Sequence, residues 1–128
     1  MKKYIIFAAL LLTVLMVFSS CSDVELPDGE MTAVFKYGDA DINVSLSDED
    51  ASAVRKMFDK KSLFSDTPSC SFSEDVALVI NSNIYCVACD TCGIIFDVEN
   101  DKYFSLSDSE NEALRSMLHE YGFVFPCI

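Results

Sequence analysis

Downstream of residue 30 the sequence predicts an α+β fold, a small two-layer sandwich of one antiparallel sheet and two helices. Three observations predict it. Short segments with period-two alternation come in pairs around turn residues. Two segments with helical spacing each begin on a serine cap. The order hairpin, capped helix, loop also occurs twice, sixty residues apart: Ser45-Leu46-Ser47-Asp48 matches Ser105-Leu106-Ser107-Asp108, and Val54-Arg55-x-Met57-Phe58 matches Leu114-Arg115-x-Met117-Leu118. Two copies are too few for a solenoid, which needs at least three units. A duplicated β-β-α unit instead shares one antiparallel sheet, with both helices on one face.

Residues 32–46 alternate as a hairpin. Ala33, Phe35 and Tyr37 share one side of the first strand, Ile42, Val44 and Leu46 one side of the second, and Gly38 to Ala40 supply the turn. Ser47 caps a helix with Asp50 as its capping-box partner. Ala51, Val54, Met57, Phe58 and Lys61 keep helical spacing, and Lys60 and Lys61 lie at the negative end of the helix dipole. Residues 62–73, with Pro68 and several serines, read as a loop that holds Cys70. Residues 76–80 and 84–87 flank Asn81-Ser82-Asn83, a hairpin turn by composition. Residues 93–98 and 102–106 flank Glu99-Asn100-Asp101 in the same way. Ser107 caps the last helix with Glu110 in the capping-box position; Ala113, Leu114, Met117, Leu118 and Tyr121 form its core face, and Gly122 stops it. The tail Phe123-Val124-Phe125-Pro126-Cys127-Ile128 is too apolar for water and is expected to pack back onto the domain.

The front of the chain has a different grammar. Lys2 and Lys3 precede a fifteen-residue run, Tyr4 to Phe18, that is apolar except for Thr13; Ser19, Ser20 and Cys21 follow. A basic head, an apolar centre and small residues before a cut make a secretory signal peptide. A membrane-crossing helix needs roughly 20 apolar residues, more than this run has. Val17-Phe18-Ser19-Ser20-Cys21 resembles the lipobox of bacterial lipoproteins, with Phe18 where an aliphatic residue is usual. The resemblance implies cleavage before Cys21 and acylation of that cysteine, so that two or three acyl chains hold the mature protein to a membrane. The expected organisation is a lipoprotein signal peptide over 1–20, a lipidated cysteine and flexible acidic tether over 21–30, and a single cysteine-rich α+β domain over 31–128.

Loss of residues 1–20 removes two lysines and no acidic residue, which takes the net charge from −12 to −14. Such a chain is repelled by phosphate backbones and anionic headgroups, so no nucleic-acid partner and no charge-driven membrane association are expected. The plain reading of the acidity is solubility.

With Cys21 assigned to lipid, five cysteines remain: Cys70, Cys86, Cys89, Cys92 and Cys127, three of them in C-x-x-C-x-x-C spacing. Outside the cytoplasm the default for such a set in a small domain is disulfides, with at least one thiol left over. Cys70 and Cys127 each follow a helix, and each is placed to fasten its helix tail by meeting one of the three clustered cysteines. The alternative is a metal site. Cys89-Asp-Thr-Cys92-Gly93 resembles the turn of a zinc ribbon or rubredoxin, which implies zinc or iron, with Cys70 and Cys127 completing four ligands. A ferredoxin cluster wants a fourth cysteine where Phe96 stands. Thiol-redox catalysis wants a C-x-x-C that opens a helix, whereas this one lies between strands.

Two weaker patterns remain. Asp39-x-Asp41-x-Asn43 with Asp50 imitates part of a calcium loop, but Val44 takes the glycine position and the segment alternates like a strand. His119, the only histidine, lies opposite its helix's apolar face; with neither G-x-S-x-G nor H-E-x-x-H in the chain, hydrolase and metalloprotease schemes lack parts. The sequence therefore predicts an exported lipoprotein, lipid-anchored at the cell envelope (outer membrane or cell surface in a two-membrane host). Its domain is expected to be non-catalytic, to use no cofactor and to bind an envelope or extracellular protein. A zinc, iron or thiol-redox protein built on the cysteine run is the alternative.

Overall fold

The structure is a computed structural model that describes residues 22–127. The signal-peptide reading and the acylation of Cys21 concern residues outside that range. The elements run β1 (Met31–Tyr37), β2 (Ala40–Ser45), α1 (Asp48–Phe58), β3 (Val76–Ile80), β4 (Asn83–Val87), β5 (Ile94–Asp97), β6 (Lys102–Ser105) and α2 (Asp108–Glu120). All six strands form one sheet of order β2-β1-β3-β4-β5-β6, every pair antiparallel. That order mirrors itself about the central β3–β4 hairpin, so the α+β fold takes the form the repeat predicts. Strands β1 and β2 lie on one side of the hairpin and β5 and β6 on the other, while the helices reach across it: Phe58 at the end of α1 meets Phe104 of β6, and Gly122 just after α2 meets Ile42 of β2. No helix among the described residues is long and apolar enough to cross a membrane.

Directly paired strand residues share a sheet face. Ala33, Leu78, Tyr85 and Asp97 make one row across four strands. This is the helix-covered side: Val54 and Phe58 from α1 and Leu114 and Leu118 from α2 join those strands in the buried core, and Phe58 meets Phe104 edge-on with centroids 5.1 Å apart. Full burial of one such side chain contributes roughly 1.5–3 kcal/mol. Asp97 is the exception in this core, and the Asn100 backbone N–H and side-chain amide answer it with donations of 3.3 and 2.8 Å.

Val34, Ala77, Cys86, Phe96 and Tyr103 make a row on the opposite face. The loop after α1 covers it in part. Phe64 pairs with Tyr103 through backbone bonds of 2.8 and 2.9 Å along the outer edge of β6, and Phe72 packs on Phe96 and Tyr103. The serine-rich loop thus crosses from the helical side, around the sheet edge, to the far side.

Residues 22–30 run along the domain rather than away from it, which differs from the expected flexible tether. Val24 is buried, its N–H donates to Lys61 and its carbonyl accepts from Lys60, and the Ser22 carbonyl accepts from Leu63. Arg55 then holds the Pro27 and Gly29 carbonyls at 3.0 and 2.9 Å. Val24 and Leu26 supply the reason: both are apolar, and both have a core to enter.

Local signals act mostly as read. Asn81 and Ser82 both take positive φ, as a two-residue hairpin turn of this type requires, and Asn83 already belongs to β4. Asp39, Asp41 and Asn43 lie at the turn and in β2, not in an ion-binding loop. Gly122 ends α2 with φ +104, donating to His119 while Phe123 donates to Leu118. A Cβ at Gly122 would lie 2.6 Å from the far end of the Ile42 side chain, which can yield, so it is the positive φ that demands glycine there. Two details differ. Ala113 is exposed, because the inward stripe of α2 is set by Leu114 and Leu118 with Asn111 on the loop side. Ser107 and Glu110 form a complete capping box, but Asp50 does not reach back to Ser47; Tyr121 stands between them.

Candidate functional site

The segment between β4 and β5 carries the cysteine run, and its backbone decides what the run can do. Cys86 is the fourth residue of β4, so its side chain lies on the face away from the helices. The strand then ends, and Cys89 turns into the helix-side core. Its N–H donates to Ser71 at 2.8 Å, which brings in the loop that carries Cys70. Asp90 accepts from the Cys92 N–H at 3.1 Å and so forms a local turn. Cys70 and Cys92 are joined as a disulfide. The tail returns as expected: Phe123 and Cys127 are buried, and the Cys127 N–H donates to the Cys89 carbonyl at 3.0 Å. Each helix tail therefore meets one clustered cysteine, Cys70 with Cys92 and Cys127 with Cys89.

A tetrahedral metal site needs four ligand atoms in one place. Among the described residues, the donor atoms that gather within 4.8 Å of one another belong to Cys70, Asp90 and Cys92, and two of those are sulfurs bonded to each other. Cys86 points to the other face. The donor set of this form does not fit a four-thiolate zinc or iron centre.

A guanidinium occupies the inside of the turn instead. Arg115 of α2 donates through Nη2 to the carbonyls of Ala88 and Cys92, both at 3.2 Å, and to that of Asp90; its Nε donates to Asn111 at 3.0 Å. Its carbon centre lies 4.5 Å over the Phe125 ring. Nη1 is buried with no hydrogen-bond partner among the described residues. Burial lowers the Arg115 pKa from its ordinary value, against the pull of Asp90, Cys127 and Cys89. In the sequence the only hint of this residue is the repeated Arg55 and Arg115, with no sign that the second fills the loop.

Burial also governs the thiols. It pushes Cys127 up to about 12, reinforced by Cys89 through hydrogen bonding and charge. It pushes Cys86 up to about 12, with Glu74 and Cys89 adding to it. Both thiols are protonated at neutral pH, the opposite of a thiolate poised for catalysis.

Beside the loop lies an open cleft of about 430 Å³ lined by Thr91, Arg115, Ser116, His119, Glu120 and Phe125. His119 Nδ1 is 3.1 Å from the Phe123 carbonyl, an acceptor, so that nitrogen carries the proton and serves the helix end. Comparison with known proteins finds no family model, no curated protein and no solved structure that matches this chain.

Proposed function

We propose that this chain is an exported bacterial lipoprotein, held to a membrane through acylated Cys21, whose non-catalytic domain binds a protein partner at the cell envelope. The order of residues 1–21 supports export and anchoring. The Cys70–Cys92 bridge supports an oxidising compartment, since disulfides are rare where thiols are kept reduced.

One observation carries the binding reading: the two outer edges of the sheet are treated differently. Phe64 closes the edge of β6. Along β2, among the described residues, no strand pairs with the outer side. Among the described residues, the exposed large apolar side chains are Tyr37, Val44 and Val124, at 47%, 40% and 58% exposure. Val44 is paired with Ala33 and Tyr37 packs near Phe35, which places both on the helical side of this edge. Val124 follows Gly122, whose neighbour there is Ile42 of β2. An open strand with apolar side chains beside it suits strand addition, in which main-chain bonds give affinity and side-chain contacts give selectivity. The partner is an extended segment of another envelope protein.

The rival use of the cysteines, as a metal or thiol-redox centre, is weighed down by their division between two faces and by the protonated, buried state of Cys86 and Cys127. The test is site-specific photo-crosslinking of the full chain in cells. A crosslinker at Val44 should give one discrete product that is lost on Val124→Lys, and one at exposed Glu112 should give none. Equal labelling from both positions, or no product from Val44, defeats the binding reading. Fatty-acid labelling that survives Cys21→Ser defeats the anchor, and stoichiometric zinc or iron in the isolated chain would replace the whole proposal by its rival.

A further inference from the structure

The loop that follows β4 ties down the tails of both duplicated units, and the two ties differ. The first unit's tail is bonded, Cys70 to Cys92, whereas the second unit's tail places the thiol of Cys127 against Cys89. We propose that Cys89 and Cys127 close a second disulfide by exchange with a disulfide donor, leaving Cys86 as the single thiol of the domain.

The backbone already sets the spacing. The Cys127 N–H to Cys89 carbonyl bond of 3.0 Å, with standard backbone lengths, limits the distance between the two α-carbons to about 7 Å. Native bridges span roughly 4.4–6.8 Å between α-carbons, so the residues lie at bridging separation. The Cys127 sulfur already reaches the Cys89 carbonyl at 3.7 Å, and both residues are 5% exposed. Cys89 also adds to the upward shift of the Cys127 thiol, through hydrogen bonding and charge.

The duplication points the same way. Cys70 and Cys127 occupy corresponding places after their helices, and each meets a cysteine of the same loop. A bridge at Cys127 completes for the second unit what the first already has. Cys86, on the far face of β4, is excluded from both.

Arg115 favours the chemistry. Its guanidinium is packed on the 88–92 carbonyls and feels both sulfurs, and Nη1 is buried without a partner among the described residues. Its charge pulls the Cys127 thiol down against the larger upward effect of burial, so it supports the thiolate that exchange requires while that form stays the minor one in the folded domain.

Exchange proceeds in two displacements. One protein thiol loses its proton and attacks the donor's S–S bond, which forms a mixed disulfide and releases one donor thiolate. The second protein thiol loses its proton and attacks the protein sulfur of that mixed disulfide. The Cys89–Cys127 bond forms and the second donor thiolate leaves. Two protein thiols are oxidised, the donor disulfide is reduced by the same two electrons, and the two protons go to the released thiolates. The oxidant is a disulfide compound such as glutathione disulfide, or the disulfide of an export-compartment oxidase. The result fastens the apolar tail to the loop covalently and does not depend on the identity of any partner.

The full chain, extracted in detergent without reductant, is exposed to glutathione disulfide, unfolded in the presence of an alkylating reagent, digested and mapped by mass. A Cys89–Cys127 linked peptide beside Cys70–Cys92, with Cys86 alkylated, is the expected result. Alkylation of both Cys89 and Cys127, or linkage of Cys86 to either, overturns the proposal. Cys86→Ser should leave the linkage intact, and its loss there also overturns it. In Cys127→Ser, alkylation of Cys89 should go from near none to complete while Cys70–Cys92 persists.

Discussion

Arg55 and Arg115 occupy the same position in the two duplicated helices, and each clamps backbone carbonyls of an irregular segment against its own helix. Arg55 holds Pro27 and Gly29 of the N-terminal strap. Arg115 holds Ala88, Asp90 and Cys92 of the cysteine loop. The repeat has kept a function for this side chain, organising segments without regular structure, while the segments themselves differ entirely.

The two clamps should differ in strength. Arg55 serves carbonyls near the surface, which water can solvate once the guanidinium is gone, so Arg55→Ala should cost about 1 kcal/mol. Its main effect should be faster hydrogen exchange at the Val24 and Lys60 amides as the strap lifts. Arg115 serves carbonyls beside fully buried Ala88 and also covers Phe125, so Arg115→Ala should cost about 2–4 kcal/mol. Urea unfolding of the two variants ranks them; equal losses would contradict this account.

Glu110 links the two units electrostatically. Its carboxylate accepts from Lys61, just after α1, at 2.6 Å and from the Ser107 N–H at 2.9 Å. The Lys61 bond, then the Ser107 bond, holds its pKa below the ordinary carboxylate value. The folded value is the lower one, so its contribution is present above about pH 4.3 and is lost as pH falls through the folded value. Glu110→Gln keeps an acceptor for the cap but loses the charge. The variant should be roughly 0.5–1 kcal/mol less stable at pH 7, a modest figure because the pair is partly exposed. Urea midpoints measured down to acid pH should converge; a gap that stays constant would refute the linkage.

Cys86 contributes to the alkaline limit, as Cys127 does while it is a free thiol. Its thiol rises from the ordinary value near 9 to about 12, first through burial and then through Glu74 and Cys89. The folded value is the higher one here, so the stability it contributes is complete below about pH 8.5 and is lost as pH rises toward 12. Native protein should react with an aromatic disulfide reagent far more slowly at this thiol than unfolded protein does. Cys86→Ala should flatten the fall of the urea midpoint between about pH 8.5 and 10.5 relative to the parent chain. A parallel fall in both would remove Cys86 from the explanation.

The fold was legible because its signals are local. Alternation in residues 32–46, the paired turns at Gly38 and Asn81, the two serine caps and Gly122 each act within a few residues, and the sixty-residue echo disclosed a duplicated β-β-α unit on one shared sheet, though not the order of its strands. Residues 22–30 misled because Pro27, Asp28 and Gly29 look like linker, whereas two apolar residues and a distant arginine decide the outcome. Cysteine spacing placed both helix tails at the loop but could not separate Cys86 from its neighbours. That separation depends on where β4 ends, and strand ends are set by tertiary pairing. No local signal marked that β2 lacks an outer partner among the described residues while Phe64 closes β6, since both depend on where a distant loop runs.

Tyr121 shows the same limit at the scale of one hydrogen bond, and it makes the sharpest test of how the two units are coupled. Glu110 reaches back to its cap nitrogen, but aspartate at the corresponding position is one methylene shorter, so Asp50 cannot close the box at Ser47. The Tyr121 hydroxyl fills the gap: it accepts from the Ser47 N–H at 3.0 Å and donates to Asp50 at 2.6 Å. The end of α2 thereby caps the start of α1. Tyr121→Phe keeps the ring against the core but leaves the Ser47 N–H and the Asp50 carboxylate without that hydroxyl, and should cost about 1–2 kcal/mol. Asp50→Glu supplies the missing methylene. Combined with Tyr121→Phe, it should restore part of the loss by building a second capping box like that of Ser107 and Glu110. A double-mutant cycle by urea unfolding measures the coupling. Additive effects would mean that Tyr121 and Asp50 act independently, and that the hydroxyl is not the missing arm of the cap.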